Sequence, residues 1–158
     1  MIVNFLQDKE RQNQGERKMQ GLTNLFSRIV GIVATLIGAI SIVGLVVMIT
    51  KAGFSEELIK PIVTCLLFFI AGTVMIKSKH GIGHIVACIV MIAVIIVERF
   101  VWVGGIFAFT EVALALVFES ADLLVTFAKG YEIILYVLLG LSVLAMICRM
   151  LALSIKND

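Results

Sequence analysis

Residues 98–130 read ERFVWVGGIFAFTEVALALVFESADLLVTFAKG, an apolar run from Val101 to Phe118 bracketed by Glu98-Arg99 and by the charged stretch Glu119 to Lys129. Whether this stretch crosses a membrane or lies along it decides how many times the chain spans. Glu111, Ala115, Glu119, Asp122, Thr126 and Lys129 recur at steps of four, four, three, four and three, so they share one face of a helix. Leu114, Leu116, Val117, Leu124, Val125 and Phe127 occupy the other face. The pattern predicts an amphipathic helix over residues 105–129, lying in the outer interface with its apolar side in lipid or packed over the bundle as a lid; the alternative is a tilted or re-entrant helix whose acidic stripe faces water inside an oligomer. Trp102, near its start, suits the headgroup level.

Outside this stretch the reading is simpler. The chain has 158 residues, 61% hydrophobic and 15% charged, with a mean hydropathy of +1.11. A soluble domain carries about 45–50% apolar and about 25% charged residues. The apolar surplus lies in long uninterrupted runs, and a bilayer needs about 20 such residues per helical span. Four runs qualify, over residues 26–50, 58–76, 81–100 and 131–153. The expected fold class is therefore all-α, an integral membrane bundle of four transmembrane helices. Residues 1–25 form a polar segment ahead of a transmembrane domain over residues 26–158. The first apolar run begins too deep, and runs too long, for a cleavable signal peptide. Pro61 falls in the first turn of the second span, where a helix tolerates it.

Orientation follows from the basic residues. With the N-terminus in the cytoplasm, the cytoplasmic pieces hold Lys9, Arg11, Arg17, Lys18, Arg28, Lys77, Lys79, Arg149 and Lys156. The outer pieces hold only Lys51, Lys60, Arg99 and Lys129, which satisfies the positive-inside rule with both termini inside. A five-span alternative would need a hairpin at Glu98-Arg99-Phe100, where no Gly, Pro, Asn or Asp supplies a turn, and it would export the basic tail.

Candidate functional residues are few. An ionisable group at membrane depth costs about 2.5–3.5 kcal/mol on insertion scales, so each asks for a partner or a role. Glu98 and Arg99 are expected to form an ion pair or a charged cluster that sets depth. Glu111, Glu119, Asp122 and Lys129 are read as the polar face of the interfacial helix or, in the alternative, as the lining of an ion path. Gly31, Ala34, Gly38 and Ser41, at steps of three, four and three, form a small-residue stripe for close helix packing, within the subunit or between subunits. His80 and His84 are read as headgroup-facing, and Arg149 as a depth marker reaching toward phosphates. Cys65, Cys88 and Cys148 stand singly, without zinc-ligand or disulfide spacing. Ile2, Val3, Phe5 and Leu6 make an apolar tip suited to anchoring or to docking on a partner.

These features exclude more than they assign. No phosphate-binding loop, nucleophile elbow, zinc-protease motif or dinucleotide fingerprint is present. The mixed-sign N-terminal segment lacks the basic and aromatic clustering of a nucleic-acid surface. The expectation is a non-enzymatic protein without cofactor or metal, multi-pass in the cell membrane, bacterial and cytoplasmic by default. It is expected to act as an oligomeric structural or regulatory subunit, with the lipid bilayer, copies of itself and a protein at its cytoplasmic N-terminus as partners. The alternative is a small oligomeric cation channel or transporter component with the acidic stripe along a water path.

Overall fold

The computed structural model describes residues 2–78, 82–101, 105–115, 117 and 121–157. Among them the chain is helical except at short connections: α1 (Ile2–Ala52), a 3₁₀ turn (Glu56–Leu58), α2 (Ile59–Lys77), α3 (Ile82–Phe100), α4 (Gly105–Ala115) and α5 (Ala121–Asn157). Four of these, α1, α2, α3 and α5, are long and apolar enough to cross a membrane. The eleven residues of α4 reach only about 16 Å, roughly half a crossing.

The polar segment continues the first span without a break, so α1 is 51 residues and about 76 Å long. Its Gln, Glu, Lys, Arg and Met residues are good helix formers, and a span that is already helical removes the cost of nucleating a new helix. Local contacts add to this: Gln20 Nε2 donates to Glu16 Oε1 at 3.0 Å, and the Lys9 ammonium lies 5.8 Å from the Phe5 ring centre. Gly53 ends the helix in the left-handed region at φ +82°, with its N–H on the Ile49 carbonyl at 2.9 Å. Pro61 is the third residue of α2, where no N–H would find a partner within the helix.

The long helices form a ring in which α1 packs on α2, α2 on α3, α3 on α5 and α5 on α1. Side-chain neighbours set their directions. A side chain at Gly31 would strike the Gly72 carbonyl and Ile76, and one at Gly38 would strike Phe69, so α1 and α2 are antiparallel. Grooves that pair Val74 with Gly83 and Val63 with Val97 make α2 and α3 antiparallel as well. The inner faces carry Val30, Ala34, Ile37, Phe68, Met75, Met91, Ile95 and Leu138, all buried, while Leu36, Val43, Ile70, Ile89, Ile133 and Val137 are more than half exposed on the outside. A large apolar exterior around a packed core is the arrangement that lipid as solvent favours.

The predicted helix over residues 105–129 is not one element. Its first part is α4, and its last part belongs to α5, whose helix runs through Gly130 and starts ten residues before the expected span. Nor does α4 lie flat on the surface. Ile106, Phe109, Thr110 and Ala113 are buried, and α4 packs on α1, α2 and α5 as a wedge in one half of the ring. Ser41 meets Ile106 and Thr110, Gly44 meets Phe109 and Ala113, and Ala52 lies beside Ala115, so α4 runs parallel to α1. Nearly every residue from Gly105 to Ala115 is apolar, and a segment without a polar face loses less by going inside than by lying at an interface.

Candidate functional site

The side chains that carry chemistry gather where α3, α4 and α5 meet. Glu98, in the last turn of α3, is 2% exposed, and its Oε1 accepts hydrogen bonds from the main-chain N–H groups of Ile106 at 2.8 Å and Phe107 at 3.2 Å. The first N–H groups of a helix have no partner within it, and they form the positive end of its dipole. A carboxylate supplies acceptor and counter-charge together. This cap lies nine residues, about 13 Å, from the end of α4 that sits beside Ala52. The wedge thus starts inside the bundle on a buried carboxylate.

Arg99 turns to α5. It forms an ion pair with Glu132, its Nε donates to the Tyr136 hydroxyl at 3.1 Å, and the guanidinium lies 5.8 Å from the Tyr136 ring centre. The two residues expected to pair with each other thus serve different partners: Glu98 points inward to α4, and Arg99 sits at the half-exposed rim with Glu132. Behind them Phe107 stacks at 6.0 Å on Phe127 and tilts at 5.0 Å on Tyr131, tying α4 to α5 by aromatic contacts.

The stripe on α1 is used within the chain. Gly31 and Gly38 face α2, Ala34 is fully buried, and Ser41 faces α4 with its Oγ 2.7 Å from Thr110 Oγ1. Whichever hydroxyl does not donate across this contact returns its hydrogen to its own helix, Ser41 to Ile37 or Thr110 to Ile106. The stripe extends one step further than the sequence reading took it. A Cβ on Gly44 would lie 1.7 Å from the Phe109 carbonyl oxygen, so no other residue fits there while α4 is seated. The signal was available, since Gly44 follows Ser41 at the same step of three.

The acidic stripe is divided among the described residues. Glu111 is half-buried on α4, Asp122 and Lys129 are exposed on α5, and Glu119, like Trp102 and His80, lies outside the described residues. His84 is not headgroup-facing but 1% exposed. Its Nδ1 lies 3.0 Å from the Ser78 carbonyl and its Nε2 2.8 Å from Ser27 Oγ. A carbonyl only accepts, so Nδ1 carries the proton, and in the neutral ring Nε2 accepts from the Ser27 hydroxyl. This contact joins α1 to α3 about 21 Å, fourteen residues, from Ser41 and Glu98. Arg149, expected to reach out to phosphates, is 6% exposed, and its Nε has no hydrogen-bond partner among the described residues. Packing of α5 into the ring holds its stem inside.

At the other extreme, every residue from Val3 to Gln14 is exposed. Val3, Phe5 and Leu6 are 68%, 66% and 55% exposed at a tip about 30 Å beyond Thr23, where full burial begins. On a continuous helix the tip stands away from the bundle. No group of three or more metal-ligating side chains occurs among the described residues. No protein-family model matches the chain, and neither a curated protein nor a solved structure is similar to it at a significant level.

Proposed function

We propose that the chain is a multi-pass subunit of the cytoplasmic membrane, both termini inside, that acts structurally or in regulation by presenting a rigid helical arm to a protein partner. The observation that carries this reading is the exposure of residues 3–14 on a helix continuous with the first span. A helix that shares its axis with a membrane span transmits position and rotation between the bilayer and whatever binds the arm. The apolar side chains at its tip gain by burial, each about 1.5–3 kcal/mol when fully covered. Assembly with further copies of the chain would use faces other than the small-residue stripe, which is already occupied by α2 and α4.

The test is photo-crosslinking in cells from a reactive side chain at position 5 or 9, with position 36 on the lipid-facing side as the control. A discrete protein adduct from the arm positions alone supports the reading. Adducts only to lipid, or none from a correctly inserted chain, would overturn it.

One observation favours a second reading, a small cation channel or transporter component. A short helix that starts inside the bundle with its N-terminus on an acidic group resembles in outline the interrupted helices that bind ions in transporters. Cation flux through liposomes containing the chain, reduced by Glu111→Gln or Glu98→Gln at equal incorporation, would select this reading over the first.

A further inference from the structure

The buried seam of α5 repeats every seven residues, at Tyr131, Leu138 and Ala145 and again at Leu135, Ser142 and Arg149. Because the seam stays buried along its length, α5 runs from its contact with the end of α3 back toward the start of α3. Arg99 fixes the register by reaching both Glu132 and Tyr136. His84 stands fifteen residues before Arg99, and Arg149 fifteen after the midpoint of Glu132 and Tyr136, each about 22 Å along its helix. Arg149 therefore lies level with His84, which Ser27 of α1 meets at 2.8 Å.

At this level Arg149 is 6% exposed, and its Nε is enclosed with no hydrogen-bond partner among the described residues. No ion pair joins it to a carboxylate among them. Glu16 on α1 lies eleven residues, about 16 Å, beyond Ser27, and Glu98 lies fourteen residues, about 21 Å, to the other side of His84. A guanidinium does not shed its proton in a protein. Buried without a counter-charge, it either draws an anion from outside or bears the full penalty of desolvation.

The start of α3 makes the same demand. Its first N–H groups have no partner within the helix and form the positive end of its dipole, and no acidic residue stands in its first turn. A Cβ on Gly83 would meet nothing within 4 Å, so the space beside this helix end is open. The 19 residues of α3, about 28 Å, match the roughly 30 Å of a bilayer's hydrocarbon core, which puts its start at headgroup level. The anion that stands at that level is phosphate, and a guanidinium fork fits two phosphate oxygens at once.

We propose that the end of the bundle from which the arm projects binds a phosphate group, carried by a lipid headgroup or by a soluble phosphate, through Arg149 and the first N–H groups of α3. Since Arg149 faces inward, the phosphate enters between the helix ends and the arginine does not reach out to it. The site is independent of any partner on the arm, and its occupant stabilises the folded chain by mass action.

The experiment uses the full chain in maltoside micelles, which hold no phosphate, with arginine labelled with nitrogen-15 at Nε. Inorganic phosphate, phosphatidic acid and, at matched ionic strength, chloride are titrated separately. The readouts are the Arg149 Nε–H resonance, assigned by its loss in Arg149→Met, and the thermal unfolding midpoint. A phosphate source is expected to shift the resonance saturably and to raise the midpoint by about 5 °C at about a hundredfold excess over its Kd. Chloride should be at least about tenfold weaker. Tighter binding of phosphatidic acid would assign the group to a lipid headgroup, and equal or tighter binding of inorganic phosphate to a soluble source. Arg149→Met keeps an apolar stem without the charge. It should abolish the rise yet leave the phosphate-free midpoint no lower than that of the wild type, because it removes a buried charge that has no counter-charge. Arg28→Gln, on the exposed side of α1, should change binding less than about twofold. A phosphate-free midpoint lowered by Arg149→Met would make the arginine a structural group already compensated. An equal response to chloride would reduce the effect to general screening, and a rise that survives Arg149→Met would place the site elsewhere. Each of these outcomes, like the absence of a saturable response to both phosphate sources in the folded wild type, overturns the proposal.

Discussion

The two halves of α1 are one helix in opposite surroundings. From Val3 to Gln14 every residue is exposed. From Val30 to Leu45 it carries the buried face of the bundle, with Gly44 so close to α4 that the two backbones touch. The first half is held by helix propensity, i to i+4 contacts and propagation from the span. The second is held by packing that leaves no space for a methyl group. Regular backbone structure is the same in both, so helicity alone says little about which half is structural and which is available to a partner.

This contrast can be broken most sharply at Gly44. Gly44→Leu should unseat α4 and cost about 3 kcal/mol or more, measured as equilibrium unfolding of the bundle in mixed micelles; a change below about 1 kcal/mol would show that the wedge does not rest there. Next comes the cap. Glu98→Ala removes the acceptor for one buried and one partly buried N–H group and should cost about 2–3 kcal/mol, whereas Glu98→Gln, which keeps an amide oxygen, should cost about 1 kcal/mol. Equal losses from the two variants would point to the size of the side chain instead of its hydrogen bonds. Smaller again, Ser27→Ala removes the hydroxyl on His84 and should cost about 1 kcal/mol, in the range of hydrogen bonds between membrane helices; proteolysis rates at the Lys77 connection would report the local loosening. At the bottom of the scale, deletion of residues 2–14 should leave the unfolding free energy of the bundle within about 0.5 kcal/mol. A larger loss would mean that the arm is part of the packed structure and not a free surface.

The small-residue stripe shows how far a periodic signal reaches. The spacing of Gly31, Ala34, Gly38 and Ser41 announces a close approach, because only small side chains leave room for another backbone. It is silent on which helix arrives, since α2, α4 or a second copy would all satisfy it. Glu98 shows the reverse. Its position after a long apolar run marked it as costly, and the obvious partner was the adjacent Arg99. The partner it found is the start of α4, eight residues on in sequence. His84 and Arg149 were placed outside by analogy with residues near span ends, but burial at such positions depends on what the neighbouring helices cover.

Four long apolar runs and the helical class were determined by composition and periodicity, because the cost of exposing backbone polar groups to lipid leaves a helix as the solution for each run. The division of residues 105–129 between a buried wedge and the start of α5 was decided only in three dimensions. An apolar segment of eleven residues favours the interior over an interface, but whether it can enter rests on whether the other helices leave a space of its shape. Here Gly44 provides that space across 65 positions of sequence to Phe109, and Glu98 meets the first N–H groups of α4 from eight positions before Ile106.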